Sequence, residues 1–252
     1  MIRAVLTSAR LRATALIGAG AVALTGCVSL LPEPQPTTLY RLASTAADAP
    51  GRAPRGAPII RINRPIMSRA LALDRVALDT GGGRISYMSQ ASWVSPAPTL
   101  IQELLLDTFD LQATRVTAAR PDDAVTARWD LRVEVRRFEA VYDRGEDAAP
   151  QVEMFLRARL IDTENRGATA VSAFTARERA TANRQGAIID AFSRASTQAA
   201  QELVAWAEGE IVEYDPESVR PRRWERGEWR RSPDDTPPDQ LPRPADDEGG
   251  EG

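Results

Sequence analysis

Apolar residues recur along this chain at two different periods, and the switches between them lay out a domain. Trp129, Leu131, Val133 and Val135 occupy every second position, which puts them on one face of a pleated strand. Phe138, Ala140 and Tyr142 continue the alternation one residue out of phase, so a bulge is expected near Arg136-Arg137. After a turn over 143–150, Val152, Met154, Leu156, Ala158 and Leu160 alternate again. A turn over 162–167 then leads to a further strand over 168–179. Earlier in the chain, Leu39-Tyr40-Arg41-Leu42 and residues 59–63 read as short strands, the second stopped by Pro65. Residues 75–79 and 84–88 flank Thr80-Gly81-Gly82-Gly83, whose glycines permit the positive φ of a tight reversal, so this is a hairpin.

Two segments change to the helical period. Ser95 and Pro96 are expected to open the first, with Ser95 as the cap and proline tolerated in the first turn. Leu100, Ile101, Leu104, Leu105 and Phe109 then line one face. The second helix runs from about Arg184 to Glu213, with Ile188, Ile189, Phe192, Ala195, Ala199, Leu203 and Trp206 on one side. Strands, helix, antiparallel meander, helix predicts an α+β fold, a single two-layer domain of mainly antiparallel sheet with two helices packed on one face. The uncovered face is then polar, and Arg132, Glu134 and Arg136 with Glu153, Arg157 and Arg159 supply it.

The ends of the chain follow neither period. Residues 1–26 read as a secretory signal: Arg3, Arg10 and Arg12 with no acidic residue, then an apolar run from Ala13 to Leu24 that is short for a membrane span. The only cysteine of the protein, Cys27, follows Leu24, Thr25 and Gly26. Leu-Thr-Gly-Cys matches the bacterial lipobox, in which the thiol is acylated and the chain cut just before it. An ordinary signal peptide with an incidental cysteine is the other reading. A diacylated Cys27 is anchored by about 0.8 kcal/mol per buried methylene, enough over two chains for lasting attachment to a membrane. In the sorting rule of enteric lipoproteins an Asp after the cysteine retains the protein at the inner membrane. Val28 stands there instead, which points to the periplasmic leaflet of the outer membrane. Residues 27–38 form a proline-rich tether, with Pro32, Pro34 and Pro36, reaching about 30 Å if extended as polyproline.

Residues 39–213 remain as the folded domain and 214–252 as a charged tail. Arg220 to Arg231 holds six arginines with Trp224 and Trp229, and Ser232 to Gly252 holds seven acidic residues among prolines. The acidic part has the composition of a disordered segment. The basic-aromatic part suits anionic headgroups or a partner surface, or else a tail neutralised by its acidic neighbour.

Composition narrows the chemistry. Net charge is −3, and −6 once the three leader arginines are removed, which argues against nucleic acid as a partner. The chain has no histidine, so the commonest general base and the main zinc ligand are both absent. No metal site and no cofactor beyond the covalent lipid on Cys27 is expected. No Gly-x-Ser-x-Gly elbow occurs, and without a lysine the three glycines are no phosphate loop. No catalytic residue is assigned, and the protein is read as a non-enzyme.

The lipobox, the proline spacer, Leu39-Tyr40-Arg41-Leu42, Ile60 to Pro65, the hairpin, Tyr87 through Trp93 leading to Pro96, Trp129-x-Leu-x-Val-x-Val and the long last helix together resemble a known family. It is that of ABC-type transport auxiliary lipoproteins, the lipoprotein component of mammalian-cell-entry (MCE) systems, with its paraquat-inducible branch. The resemblance covers about Cys27 to Ile211 and rests on apolar spacing more than on invariant chemistry. It implies an auxiliary subunit that docks an MCE-domain protein of an ABC transporter at the outer membrane, as an oligomer, while lipids or other hydrophobic compounds are moved by other subunits. Members carry a Tyr and then a Trp before the first helix, matched by Tyr87 and Trp93. Tyr87, Met88, Trp93 and Val94 are therefore candidates for a partner-contact surface, or Tyr87 and Trp93 close the core. Two other roles stay open: an assembly lipoprotein partnering a β-barrel, and a carrier holding lipid between sheet and helices.

Overall fold

The structure, a computed structural model, describes residues 36–42, 53, 55–165 and 167–214. Its elements follow in the order β1 (Thr38–Tyr40), β2 (Ile59–Ile62), β3 (Ile66–Met67), β4 (Arg75–Asp79), β5 (Ile85–Trp93), α1 (Ala97–Gln112), β6 (Thr117–Ala119), β7 (Trp129–Val141), β8 (Gln151–Asp162), β9 (Gly167–Arg179) and α2 (Gln185–Tyr214). All strands join one sheet, and both helices cover the same face of it. The predicted α+β, two-layer architecture is the observed one.

Strand β7 is the axis. Along one edge it pairs antiparallel with β8, which in turn pairs antiparallel with β9. Along the other edge three short strands share it in succession, all parallel: β2 against Trp129 to Leu131, β3 against Glu134 and Val135, β4 against Ala140 and Val141. Outside these lie β6, parallel to β2, and β5, antiparallel to β4, with β1 parallel to β5 at the rim. The antiparallel ladders are the long ones, but the sheet is mixed. Sequence periodicity missed β3 and β6, because two or three residues are too few to show a period.

The bulge expected in β7 is present. The β7–β8 register shifts between Val135 and Arg137, leaving Arg136 without an opposite residue. That extra residue rotates the next side chain, and Phe138 returns to the buried face at 2% exposure. A second irregularity lies in β5, whose pairing with β4 jumps between Arg75 and Ala77. Gln90 within it takes φ +57°, and the side-chain amide of Gln185, at the start of α2, donates to the neighbouring Ser89 carbonyl at 2.7 Å. The β4–β5 turn holds Gly81, Gly82 and Gly83 at φ +92°, +64° and +72°, as a tight reversal requires.

Ser95 is not the cap of α1. Pro96 occupies the N-cap position without a side-chain hydrogen bond, and its carbonyl accepts from the N–H groups of Thr99 and Leu100 at 2.9 and 3.1 Å. A second proline, Pro98, sits in the first turn, where its missing N–H has no helical partner to lose. Docking against the sheet sets the start of this helix. Gln102 on its buried side donates to the Ile62 carbonyl at 2.9 Å.

An aromatic triad fills the centre of the core. Trp93 of β5, Phe138 of β7 and Phe192 of α2 sit with ring centroids 5.6, 5.3 and 5.0 Å apart, one pair stacked and two edge-on. Such pairs stabilise beyond their buried area. The triad ties β7, just past its bulge, to β5 and α2. Phe192→Ala is expected to cost about 3–5 kcal/mol in urea unfolding. Val94→Ala, at a position 44% exposed, is expected to change stability by less than about 0.5 kcal/mol. Equal costs for the two would remove the triad from that role.

Candidate interaction surface

Of the residues singled out by sequence, Leu24, Thr25, Gly26 and Cys27 lie outside the described residues. The four contact candidates do not form one exposed patch. Trp93 is 1% exposed and belongs to the core, so it leaves the contact surface. Tyr87 is half-buried: the Arg75 guanidinium lies 4.7 Å from its ring centre, and its hydroxyl donates to the Ala70 carbonyl at 3.2 Å. Met88 packs against the core from the side. Val94 alone is exposed, beside a depression formed with Arg41, Leu100 and Asp107. The β5 bulge separates the first pair from the second, because the residues between them leave the regular register.

The sheet face away from the helices offers a larger surface. Strand alternation puts Arg132 opposite Arg159 and Glu134 opposite Arg157 across β7 and β8. Val171 and Ala173 stand beside the two β8 arginines on β9, and Ile66 of β3 stands beside Glu134. At the far end of the same face, Glu153 meets Arg137 at 3.2 Å and Arg177 at 3.1 Å. Arg61 and Asp130 pair at 3.2 Å at the near end. Ion pairs thus bracket the face, and Glu134 is taken by Arg136 at 3.0 Å.

Strand β9 bounds this face. It pairs only with β8, so among the described residues its outer edge carries no neighbouring strand. From Ala168 to Ala176 its sequence contains no charged residue. Long uncharged edges are what proteins usually blunt with Lys, Pro or a covering segment, since their free N–H and C=O groups pair readily with another chain.

Two carboxylates of the β7–β8 ladder are pushed in opposite directions. Glu139, 6% exposed, is held above the ordinary carboxylate range chiefly by burial, with Asp79 and Glu153 adding to it against the Phe138 N–H and Arg137. Asp162, 1% exposed, also suffers burial, but hydrogen bonds outweigh it and lower its pKa. Arg128 donates to it at 3.3 Å, the Asn165 amide at 2.7 Å and the Glu164 N–H at 3.0 Å. Asn165 also reaches the Tyr214 hydroxyl at 3.3 Å, and Tyr214 meets Trp129 edge-on at 5.4 Å. This cluster pins the end of α2 to the β8–β9 turn.

The sequence profile of the ABC-type transport auxiliary lipoprotein components matches residues 40–204, from β1 into α2. The chain belongs to this family. Its match runs over the sheet from Tyr40 and leaves residues 1–39 and 205–252 outside. Among solved structures, a Xanthomonas campestris protein assigned to family DUF330 is similar with TM-score 0.63 and 21% identity, over 71% of this chain and 99% of that one. A second crystal structure, of an uncharacterized protein, is similar with TM-score 0.55 and 13% identity, over 68% of this chain and 99% of that one. At these identities the likeness is one of fold. No curated protein matches the chain.

In this auxiliary lipoprotein Asp162 and Glu139 give opposite pH signatures. A carboxyl whose folded pKa is depressed stabilises the fold above the unfolded pKa, and that stability is lost as pH falls through the folded value. Asp162→Ala should therefore cost about 2 kcal/mol near neutral pH, and less as the medium is acidified. A carboxyl whose folded pKa is raised favours the fold below the unfolded pKa and disfavours it once pH exceeds the folded value. Glu139→Gln should raise stability by about 1 kcal/mol at neutral pH and leave it nearly unchanged in acid. Urea unfolding across pH checks both, and pH-independent differences would contradict both.

Proposed function

We propose that this lipoprotein is the outer-membrane-anchored, periplasmic docking subunit of an MCE-type ABC transport system that moves lipids or other hydrophobic compounds between the two membranes. Family membership supports an auxiliary role in ABC-type transport. The Leu24-Thr25-Gly26-Cys27 sequence supports lipid anchoring, and Val28 supports the outer membrane.

The observation that carries docking is the layout of the sheet. β1, which follows residues 27–37 in the chain, forms one rim, and β9, with no strand beyond it among the described residues, forms the other, with β5, β4, β7 and β8 between. At about 4.8 Å per strand this separates β1 and the β9 edge by roughly 24 Å. A chain held to a leaflet at β1 keeps β9 and the bare face available to a partner. The layer between sheet and helices is filled by the aromatic triad and its neighbours, which favours docking over carriage of a lipid inside the domain.

Crosslinking of the membrane-anchored protein, followed by purification and mass spectrometry, tests the assignment. Recovery of an MCE-domain protein is the expected result. Thr175→Lys, which adds charge to the β9 edge, should reduce that recovery several-fold without lowering the unfolding midpoint. Cys27→Ser should abolish outer-membrane fractionation. Recovery of a β-barrel with no MCE component would overturn the assignment in favour of an assembly role.

A further inference from the structure

Charged residues on the bare face of the sheet are paired almost throughout, with one exception. Arg61 has Asp130, Arg136 has Glu134, and Arg137 and Arg177 share Glu153. Arg132, Arg157 and Arg159 form no ion pair and no side-chain hydrogen bond among the described residues. Register brings all three together: Arg132 is directly opposite Arg159, and Arg157 lies two residues along the same face of β8. Like charges directly opposite one another weaken a sheet, and a single carboxylate at any of these positions would relieve them. Among the described residues the one carboxylate facing them is Glu134, opposite Arg157. Glu134, which also lines the site, is already held by Arg136 through both carboxylate oxygens at 3.0 and 3.5 Å.

These arginines line a shallow groove of about 210 Å³ that also includes Ile66 and Val171. Both are unusually bare for their type, at 68% and 50% exposure. The groove thus joins three guanidiniums, without an ion pair among the described residues, and the Arg136-held Glu134 carboxylate to apolar flanks. Its volume holds a phosphate with its glycerol substituent but not a pair of acyl chains. Arginine is the side chain best suited to this, since its planar fork matches phosphate oxygens and is weakly hydrated. An acidic peptide is a poorer fit. The groove lies over β7 and β8, whose backbone groups are paired on both edges, so a peptide main chain would find nothing to bond.

We propose that Arg132, Arg157 and Arg159 bind the phosphate of an anionic phospholipid headgroup, with Ile66 and Val171 against its glycerol and first methylenes. The proposal deepens the transport reading above and takes its biological sense from it. It is nevertheless measured on the isolated chain. A failed crosslink to an MCE protein would leave it standing, and failure of lipid binding would leave the docking assignment untouched.

The test is calorimetric titration of the full-length lipoprotein, in neutral detergent, with dihexanoylphosphatidylglycerol. Saturable binding is expected, at least about tenfold tighter than to dihexanoylphosphatidylcholine or inorganic phosphate. The double variant Arg157→Gln/Arg159→Gln should weaken it at least about tenfold, while Arg177→Gln, on the same face but paired with Glu153, should leave it within about twofold. Because the double variant removes like-charge repulsion, its unfolding midpoint should hold or rise, which separates lost binding from lost fold. Arg132→Gln alone gives a second reading at a different strand. Equal affinity for the two lipids, phosphate binding as tight as lipid, indifference to the arginine variants, or displacement of the lipid by an acidic peptide would each overturn the proposal.

Discussion

Strand β7 must satisfy the backbone N–H and C=O groups of thirteen residues along two edges, and the remaining strands are arranged around that requirement. One edge is met by a single partner, β8, through an antiparallel hairpin whose ladder runs the length of both strands. The other is met piecewise by β2, β3 and β4, all parallel to it and too short to be stable alone. Parallel pairing needs crossover connections, and α1 lies in the one that carries the chain from β2 to its parallel neighbour β6. The bulge at Arg136 then turns the second half of β7 so that Phe138 joins Trp93 and Phe192 under α2. Pairing, bulge and triad are one connected constraint.

Covering one face with both helices has an electrostatic consequence. Every second residue of β7, β8 and β9 is left facing solvent on a sheet whose strands are only about 5 Å apart, so charges there must be interleaved by sign. The chain does this at both ends of the face and stops doing so in the middle, where Arg132, Arg157 and Arg159 meet. In a protein with net charge −3 this is a local concentration of positive charge, positioned by strand register. Burial has the reverse effect on the carboxylates. Asp162 is tolerated at the β8–β9 turn because three neighbours donate to it, whereas Glu139 sits where donors are fewer and other carboxylates are near.

The same arrangement suits a tethered subunit. β1 forms one rim of the sheet, β9 forms the other with no strand beyond it among the described residues, and Tyr214 of α2 is fastened to Asn165 of the β8–β9 turn and to Trp129 of β7. The two rims are therefore held apart by the width of the sheet and connected through its core.

How much of this was legible beforehand follows the range of the interactions involved. Two-residue alternation in β7, β8 and β9, the slip at Arg136, the triple-glycine turn and the two amphipathic helices are local patterns, and sequence by itself determined them. The family resemblance rested on the same apolar spacing, and the leader and Cys27 are motifs readable without any fold. The tertiary structure alone decided what depends on residues far apart in the chain. Strands as short as β3 and β6 exist only because β7 and β2 offer them an edge. Pro96 replaces Ser95 as the cap because α1 starts where the sheet allows it to dock. Trp93 belongs to the core because a bulge in β5 swings it beneath α2, where Tyr87 does not follow. The arginine site depends on a register between strands about 25 residues apart in sequence. Arg132, Arg157 and Arg159 were visible as polar positions, but their shared lack of an ion pair among the described residues emerges only when the strands are laid side by side.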